Sequence, residues 1–348
     1  MLITIIPAHN EERAIGQTLA SLKEQTVVPD LIFVVLDNCT DNTDKVASKH
    51  GAYTFVTHDN KNKKAGALNQ ILDFLLPFMN DESKILVMDA DTALSKNFIE
   101  DALPKFEDTT VGGVGGSFFC KEEKTIVQKM QGNEYQRYVR EIARKKGKAN
   151  VLTGAGSIFR VRAFKEIREA REEGRLPGKG YYDESALTED NEMTLALKHL
   201  GYKCLAPRAC EIYTDAPENY RALYHQRIRW RRGAFENLKD YGWTKVTFPY
   251  MVKTCWTGFV TVVTMMYVVA VLVSLVVGMS SFAFNPLWLG IFGLYIFERY
   301  WTVRNRKSGA LVATAIVPEM IYDNFQQFIF FIAFWKFIGK RDEVWIHG

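Results

Sequence analysis

The stretch "KILVMDADT" (Lys84–Thr92) decides the fold class. Four consecutive apolar residues, Ile85 to Met88, run straight into two aspartates. A short unbroken apolar run of this kind reads as a strand buried on both faces. The same pattern recurs toward the N-terminus in "LITII" (Leu2–Ile6), "LIFVVL" (Leu31–Leu36) and "AYTFVT" (Ala52–Thr57). Between these runs the apolar spacing changes. In "ERAIGQTLASLKEQ", Ile15, Leu19 and Leu22 fall on one helical face, and in "GALNQILDFLLPF" so do Leu68, Ile71, Leu72 and Leu75. A short polar helix through Val46 fills the remaining gap. Strand–helix alternation predicts an α/β domain with a mostly parallel sheet covered on both faces. Ligands of such sheets gather beyond the carboxyl ends of the strands. There stand "PAHNEE" (Pro7–Glu12), Asp37, Asp89 and Asp91.

The chain has 348 residues, a formal charge of +4 from 44 basic and 40 acidic residues, and 47% hydrophobic residues. Length suggests two domains. The charge is far from that of a dedicated nucleic-acid binder, so no nucleic-acid partner is expected. Five scattered cysteines (Cys39, Cys120, Cys204, Cys210, Cys255) form no C-x-x-C pair and are expected to be reduced thiols. Met1 runs directly into "LITIIPAHN", without the charged start and long apolar stretch of a signal peptide, so the first domain is expected to stay where it is made.

The middle is less regular. "VGGVGGSFF" (111–119) reads as a flexible glycine cluster, "EYQRYVREIARKKGK" (134–148) as a helix with a basic end, and "LTGAGSIFRVRAF" (152–164) as a small-residue turn entering an apolar segment. "NEMTLALKHLGY" and "PENYRALYHQRIRWRRGAFENL" read as helices, the first ending at Gly201, the second opening after Pro217. Hydropathy then changes abruptly, which sets the expected domains at 1–245 and 246–348. "TCWTGFVTVVTMMYVVAVLVSLVVG" carries no charge over about 25 residues, longer than a bilayer core requires. "PLWLGIFGLYIFERYWTV" is a shorter candidate span, and the basic loop after it favours the cytoplasmic side. The region 310–339 carries Pro318, Glu319 and Asp323. It reads either as an interfacial helix plus a short span or as a span whose polar residues face protein.

Several residues are candidates for chemistry, each with an ordinary alternative. Asp89 and Asp91, at i and i+2 of an extended segment, point the same way and suit a hard divalent cation plus substrate phosphates, or else cap the next turn. Asp37 in "LDNCTDNTD" suits a base N–H or ribose hydroxyl, although an Asx-turn is the commoner fate of such a residue. Lys64 in "KKAGALN" stands at a helix start, where an anion would be favoured; the alternative is a solvated lysine. Asp190 in "ALTEDNEMTL" is either a helix N-cap or a general base. The helix N-terminus lowers its basicity, so burial or Glu189 has to raise it. In "YHQRIRWRRG", helical spacing puts Gln226, Arg229 and Trp230 on one face and Arg227 and Arg231 on another. That first face offers an amide, a guanidinium for phosphate and an indole for a sugar or base.

Taken in order, Asp37, "DAD" (89–91), "TED" (188–190) and "QRIRW" (226–230), followed by apolar spans, resemble the processive family 2 glycosyltransferases, the group of cellulose, chitin, hyaluronan and poly-N-acetylglucosamine synthases. "PAHNEE", "KKAGALN" and "LTGAG" resemble that family's motifs too. The resemblance covers about residues 3 to 235, and "WKFIGKRDEVW" (335–345) is only loosely similar to the family's tryptophan-rich end. Asp37-Asn38 replaces the family's usual second acidic pair, and no apolar span precedes the catalytic domain.

The resemblance implies a GT-A fold, a Rossmann-like nucleotide-diphospho-sugar transferase domain, followed by a C-terminal region of transmembrane and interfacial helices. It implies inverting transfer from a nucleotide-diphospho-sugar, a UDP-sugar foremost, to a glycan acceptor, with Mg2+ or Mn2+. A lipid carrier or protein receiving a single sugar is the alternative acceptor, and a non-catalytic nucleotide-binding membrane module is the alternative class. The roles it implies are Asp37 at the base, Asp89 at the nucleotide sugar, Asp91 with Asp89 at the metal, and Lys64 near the diphosphate. Asp190 would deprotonate the acceptor, Gln226 and Arg229 would hold the diphosphate, and Trp230 and Glu189 would meet substrate. The implied setting is the cell membrane, in contact with lipid, with the catalytic domain on the cytoplasmic side and a homo-oligomer as a possible assembly.

Overall fold

The computed structural model describes residues 1–277, 286–306 and 316–339. The chain divides into two units. The first comprises Met1–Glu122, Tyr138–Ala216 and Lys239–Tyr241, the second Glu123–Arg137, Pro217–Leu238 and the chain from Gly242.

The first unit is built on a seven-stranded sheet. In chain order, β1 is Leu2–Ala8, β2 Leu31–Leu36, β3 Tyr53–Val56, β4 Lys84–Met88, β6 Val111–Gly115, β8 Gly156–Arg160 and β9 Lys203–Leu205. Across the sheet they run β3-β2-β1-β4-β8-β6-β9. The four strands expected from the apolar runs pair in parallel, with Ile3 opposite Leu31 and Leu2 opposite Lys84. β8 runs antiparallel to both β4 and β6, so the sheet is mixed. Helices α1 (Ile15–Lys23), α2 (Thr43–Lys49) and α3 (Lys63–Leu75) follow β1, β2 and β3. Ile15, Leu19, Leu22, Leu68, Ile71 and Leu72 are all at most 1% exposed, as the helical spacing requires. A smaller sheet, β5 (Ala93–Leu94), β10 (Glu211–Thr214) and β7 (Ser117–Cys120), completes the strands, and the short helix α4 (Phe98–Ala102) follows β5.

The glycine cluster is not flexible. It forms β6 and β7, and the glycines are there for room. A Cβ on Gly113 would meet Leu152 Cδ1 at 2.4 Å, and one on Gly116 the Cys210 carbonyl oxygen at 2.5 Å. A packed side chain thus accounts for the glycine inside β6, and close approach of backbone for the one between β6 and β7. Beyond β8 lie α6 (Val161–Glu172) and α7 (Glu189–His199); the chain leaves α7 through Gly201 at φ +85°. Among the described residues, which include all five cysteines, no disulfide forms.

α7 is pinned by a buried ion pair. Glu192 is 2% exposed and receives both hydrogen bonds, each 2.6 Å, from the Arg171 guanidinium on α6, whose side chain is 1% exposed. The Tyr241 hydroxyl donates to Glu192 as well, at 2.6 Å. Arg171 also donates to the carbonyls of Lys179 and Gly180.

In the second unit, α5 (Ile126–Arg144) and α8 (Tyr220–Tyr241) contribute their Ile126–Arg137 and Tyr220–Leu238 parts, joined by α9 (Phe248–Val277), α10 (Pro286–Val303) and α11 (Ile316–Ile338). Among the described residues one helix, Phe248–Ser274, is long and apolar enough to cross a membrane. In the third apolar region the polar residues face protein. Glu319, 1% exposed, accepts from Asn133 at 2.8 Å and Arg137 at 3.4 Å, and Asp323 accepts from Tyr295 and Arg299. The parts of the basic loop and of the tryptophan-rich end at 307–309 and 340–345 lie outside the described residues.

The Arg171–Glu192 pair makes a stability ordering. Breaking a buried pair costs about 3–5 kcal/mol when a charge is left behind. Glu192→Leu strands a guanidinium that cannot shed its charge, whereas Arg171→Met leaves a carboxylate that can take a proton. We expect Glu192→Leu to lower the thermal midpoint more than Arg171→Met at pH 6; the reverse order contradicts this reading.

Candidate active site

Four of the expected residues meet at the carboxyl end of the sheet in the first unit. β4 stops at Met88, and residues 89–92 turn, with the Thr92 N–H reaching the Asp89 carbonyl at 3.3 Å. The extended geometry that would have pointed Asp89 and Asp91 the same way therefore ends one residue too early. Asp89 instead pairs with Lys64. The Lys64 ammonium lies 2.6 Å from Asp89 Oδ1, 2.9 Å from Glu189 Oε1 and 3.4 Å from the Gly154 carbonyl oxygen. Lys64 is thus no solvated lysine. Burial alone would lower its pKa, but Asp89 and Glu189 outweigh that and hold it charged.

Asp190 lies beside this bridge. Its Oδ2 accepts the Gly154 N–H at 3.1 Å and its Oδ1 the Asn191 N–H at 2.7 Å. Burial, then the neighbouring Glu189, pushes its pKa up to about 6, against the pull of Lys64 and of the two N–H donors. The helix N-terminus does favour the carboxylate, and burial wins. Lys64, Glu189, Asp190, Gly154 and Tyr182 line one cavity. The small residues of "LTGAG" serve this wall: a Cβ on Gly154 would come within 3.1 Å of the Lys64 ammonium.

Asp91 faces a different set of acids. Burial, then Asp89 and Asp215, raises its pKa to about 6, opposed by Lys121 and Lys64. Glu11 of "PAHNEE" is raised further, to about 7, by burial and by Asp91, Asp89 and Asp41. Mutually repelling carboxylates call for a cation. Among the described residues no three Asp, Glu, His or Cys side chains converge as a closed metal cage. One or two carboxylates left open to substrate phosphate is the donor set that Mg2+ or Mn2+ accepts. Asp91 with Asp89 fits that group in charge and donor type, although not in the shared direction expected of an extended segment. Asp215 carries no signal in the sequence, whereas Glu11 lies within "PAHNEE", at the carboxyl end of β1.

Asp37 closes β2 and is 8% exposed. Its Oδ1 accepts from Thr57 at 2.9 Å, Asn60 at 2.8 Å and Asn38 at 3.1 Å. The Asx-turn that opens α2 belongs instead to Asp41, whose Oδ1 takes the Thr43 N–H at 3.0 Å. Asn60 also holds the Lys63 carbonyl at 2.7 Å, so the turn that presents Lys64 is tied to Asp37.

Gln226, Arg229 and Trp230 lie on α8, in the second unit. The expected separation of faces does not hold there. The Arg227 guanidinium sits 4.5 Å from the Trp230 ring centroid, one helical turn away, and pairs with Glu134 at 2.9 Å. Arg232 is 8% exposed and pairs with Glu236 at 2.7 Å. Two of the four arginines are therefore structural.

Residues 84–297 match the family described as glycosyl transferase family group 2. Over 255 residues the chain is 25% identical to the poly-beta-1,6-N-acetyl-D-glucosamine synthase of Staphylococcus aureus, covering 70% of this chain and 58% of that protein. Over 241 residues it is 27% identical to the probable glycosyltransferase YdaM of Bacillus subtilis, covering 66% and 54%. The chain thus spans less than two thirds of the length of these curated relatives. Among solved structures, a mannosyltransferase from Pyrobaculum calidifontis, in complex with GDP-Man and Mn2+, superposes with a TM-score of 0.59 at 16% identity, over 98% of this chain and 88% of that one. The shared fold is GT-A.

The electrostatics of the cavity are measurable without any substrate. We expect the Asp190 carboxyl to titrate near pH 6 by carbon NMR. Glu189→Gln removes the adjacent like charge and should move that titration to lower pH; a shift to higher pH, or none, contradicts the assignment.

Proposed function

The chain belongs to glycosyl transferase family group 2, and we propose that it moves a sugar from a nucleotide-diphospho-sugar, a UDP-sugar foremost, to a hydroxyl of a glycan acceptor with inversion. One observation carries this reading: a carboxyl raised to about 6, Asp190, stands in the same cavity as a lysine held between Asp89 and Glu189. A carboxylate with a pKa near working pH is a competent general base. Lys64 contributes fixed positive charge for the donor diphosphate, which needs no reorganisation as charge develops on the leaving group. Asp37 presents its Oδ2, which no protein donor reaches among the described residues, to the nucleotide base. Asp89 contacts the nucleotide sugar, and Asp91 with Asp89 holds Mg2+ or Mn2+, which supplies Lewis-acid stabilisation of the diphosphate. The "QRIRW" motif carries the further proposal that Gln226 and Arg229 bind diphosphate and Trp230, with Glu189, meets substrate.

Residues 1–245 carry the chemistry in this proposal and 246–348 attach it to the cell membrane, catalytic domain on the cytoplasmic side. The apolar, largely exposed Phe248–Ser274 helix supports that attachment.

Membranes containing the chain, supplied with labelled nucleotide sugars and Mn2+, should yield labelled glycan. Asp190→Asn should lower transfer by about a hundredfold or more while donor binding stays within a few fold. Undiminished transfer contradicts the assigned base. The length of the labelled product separates glycan extension from addition of one sugar to a lipid or protein.

A further inference from the structure

Tyr182 belongs to the segment between α6 and α7 that leads into Asp190. It is 3% exposed, and its ring packs on Phe164 at 5.9 Å between centroids. Its hydroxyl makes no hydrogen bond among the described residues. Yet Tyr182 lines the cavity that holds Lys64, Glu189 and Asp190. The phenol keeps its proton: burial foremost raises its pKa, Glu189 and Asp190 add to this, and Lys64 opposes them. The neighbouring polar groups on this wall each have protein partners, Lys64 in Asp89 and Glu189, Asp190 in two backbone N–H groups, whereas the phenol has none among the described residues.

The backbone that presents Tyr182 is held with unusual completeness. Asn69, the last residue of "KKAGALN", is 7% exposed. Its Oδ1 accepts the N–H groups of Tyr181 at 3.1 Å and Tyr182 at 2.8 Å. Its Nδ2 donates to the Tyr182 carbonyl at 2.9 Å and to Glu184 Oε1 at 3.0 Å. Every hydrogen-bonding position of that amide is spent on this one segment. A Cβ on Gly180 would meet Asn69 Nδ2 at 2.7 Å, and Gly180 sits at φ +71°, so the approach is close and specific. A phenylalanine would fill the same space, so packing alone does not account for a hydroxyl that has no protein partner among the described residues beside this cavity.

We infer that the Tyr182 hydroxyl is a sugar-contacting group of this site. It donates a hydrogen bond to one ring hydroxyl of the donor or acceptor sugar beside Asp190, with Asn69 as the positioning residue that aims it. The inference rests on the transfer reading above. It is tested with the purified full chain by comparing wild type and Tyr182→Phe, first for thermal midpoint, then for transfer with intact and monodeoxy donors and monodeoxy acceptors. The isosteric variant should keep its midpoint and lose about tenfold or more in kcat/KM. One deoxy substrate should cost the wild type a similar factor and the variant nothing further, and its identity tells donor from acceptor. A wild type inactive with every nucleotide sugar overturns the transfer reading itself. An active wild type matched within about twofold by Tyr182→Phe overturns this inference alone. So does a loss in the variant for which no deoxy substrate is singled out.

Discussion

The Lys64 ammonium between Asp89 and Glu189 is the interaction on which the site depends. Three carboxylates gather around it: Asp89 and Glu189 pair with it, and Asp190 lines the same cavity as Glu189. Two unit charges about 4 Å apart interact by about 4 kcal/mol at an effective dielectric near 20, or roughly three pKa units. Without a cation there, the acids could not all stay ionised. The bridge also ties together elements that are far apart in sequence: the start of α3, the end of β4 and the first turn of α7. Its partner on the other side is the Gly154 carbonyl, and the Gly154 N–H reaches Asp190. One glycine residue thus serves Lys64 and Asp190 at once, through its carbonyl and its N–H, which explains the small residues of "LTGAG".

This arrangement sets Asp190 apart from an ordinary helix cap. A carboxyl at a helix N-terminus is normally made more acidic. Here burial and Glu189 overcome that pull, and the buried Arg171–Glu192 pair pins α7 two residues further on. The cost of desolvating the acids is offset by the lysine, and a stabilised but still basic carboxylate is the result. The second acid cluster, Asp91 with Glu11 and Asp215, has no equivalent lysine bridge, only the more distant pull of Lys121 and Lys64 on Asp91. Its excess negative charge suits a divalent cation shared with substrate phosphate.

Much of the fold was legible because its signals are local. Continuous apolar runs marked β1, β2, β3 and β4, and apolar spacing marked α1 and α3. The glycines of 111–116 misled because their reason is a close neighbour, Leu152 or the Cys210 carbonyl, that only the tertiary structure brings near. For Asp89 and Asp91 the expected shared direction does not hold, since strand pairing stops at Met88. Asp37 read more naturally as an Asx-turn until Asp41 proved to occupy that role. The arginines of "YHQRIRWRRG" could not be sorted from spacing alone, because Glu134 and Glu236 decide which of them are structural. Tyr182 carried no sequence signal: its interest lies in a missing partner.

In the proposed function, sugar transfer takes place in the cavity around Lys64. The most direct measurement is an experimental structure of the chain with a bound UDP-sugar and Mn2+. The diphosphate should lie beside Lys64, Mn2+ at Asp91, the nucleotide base at Asp37 and the anomeric carbon open to an acceptor on the Asp190 side. A donor bound elsewhere on the chain, or one whose anomeric carbon is walled off from Asp190, would contradict this placement.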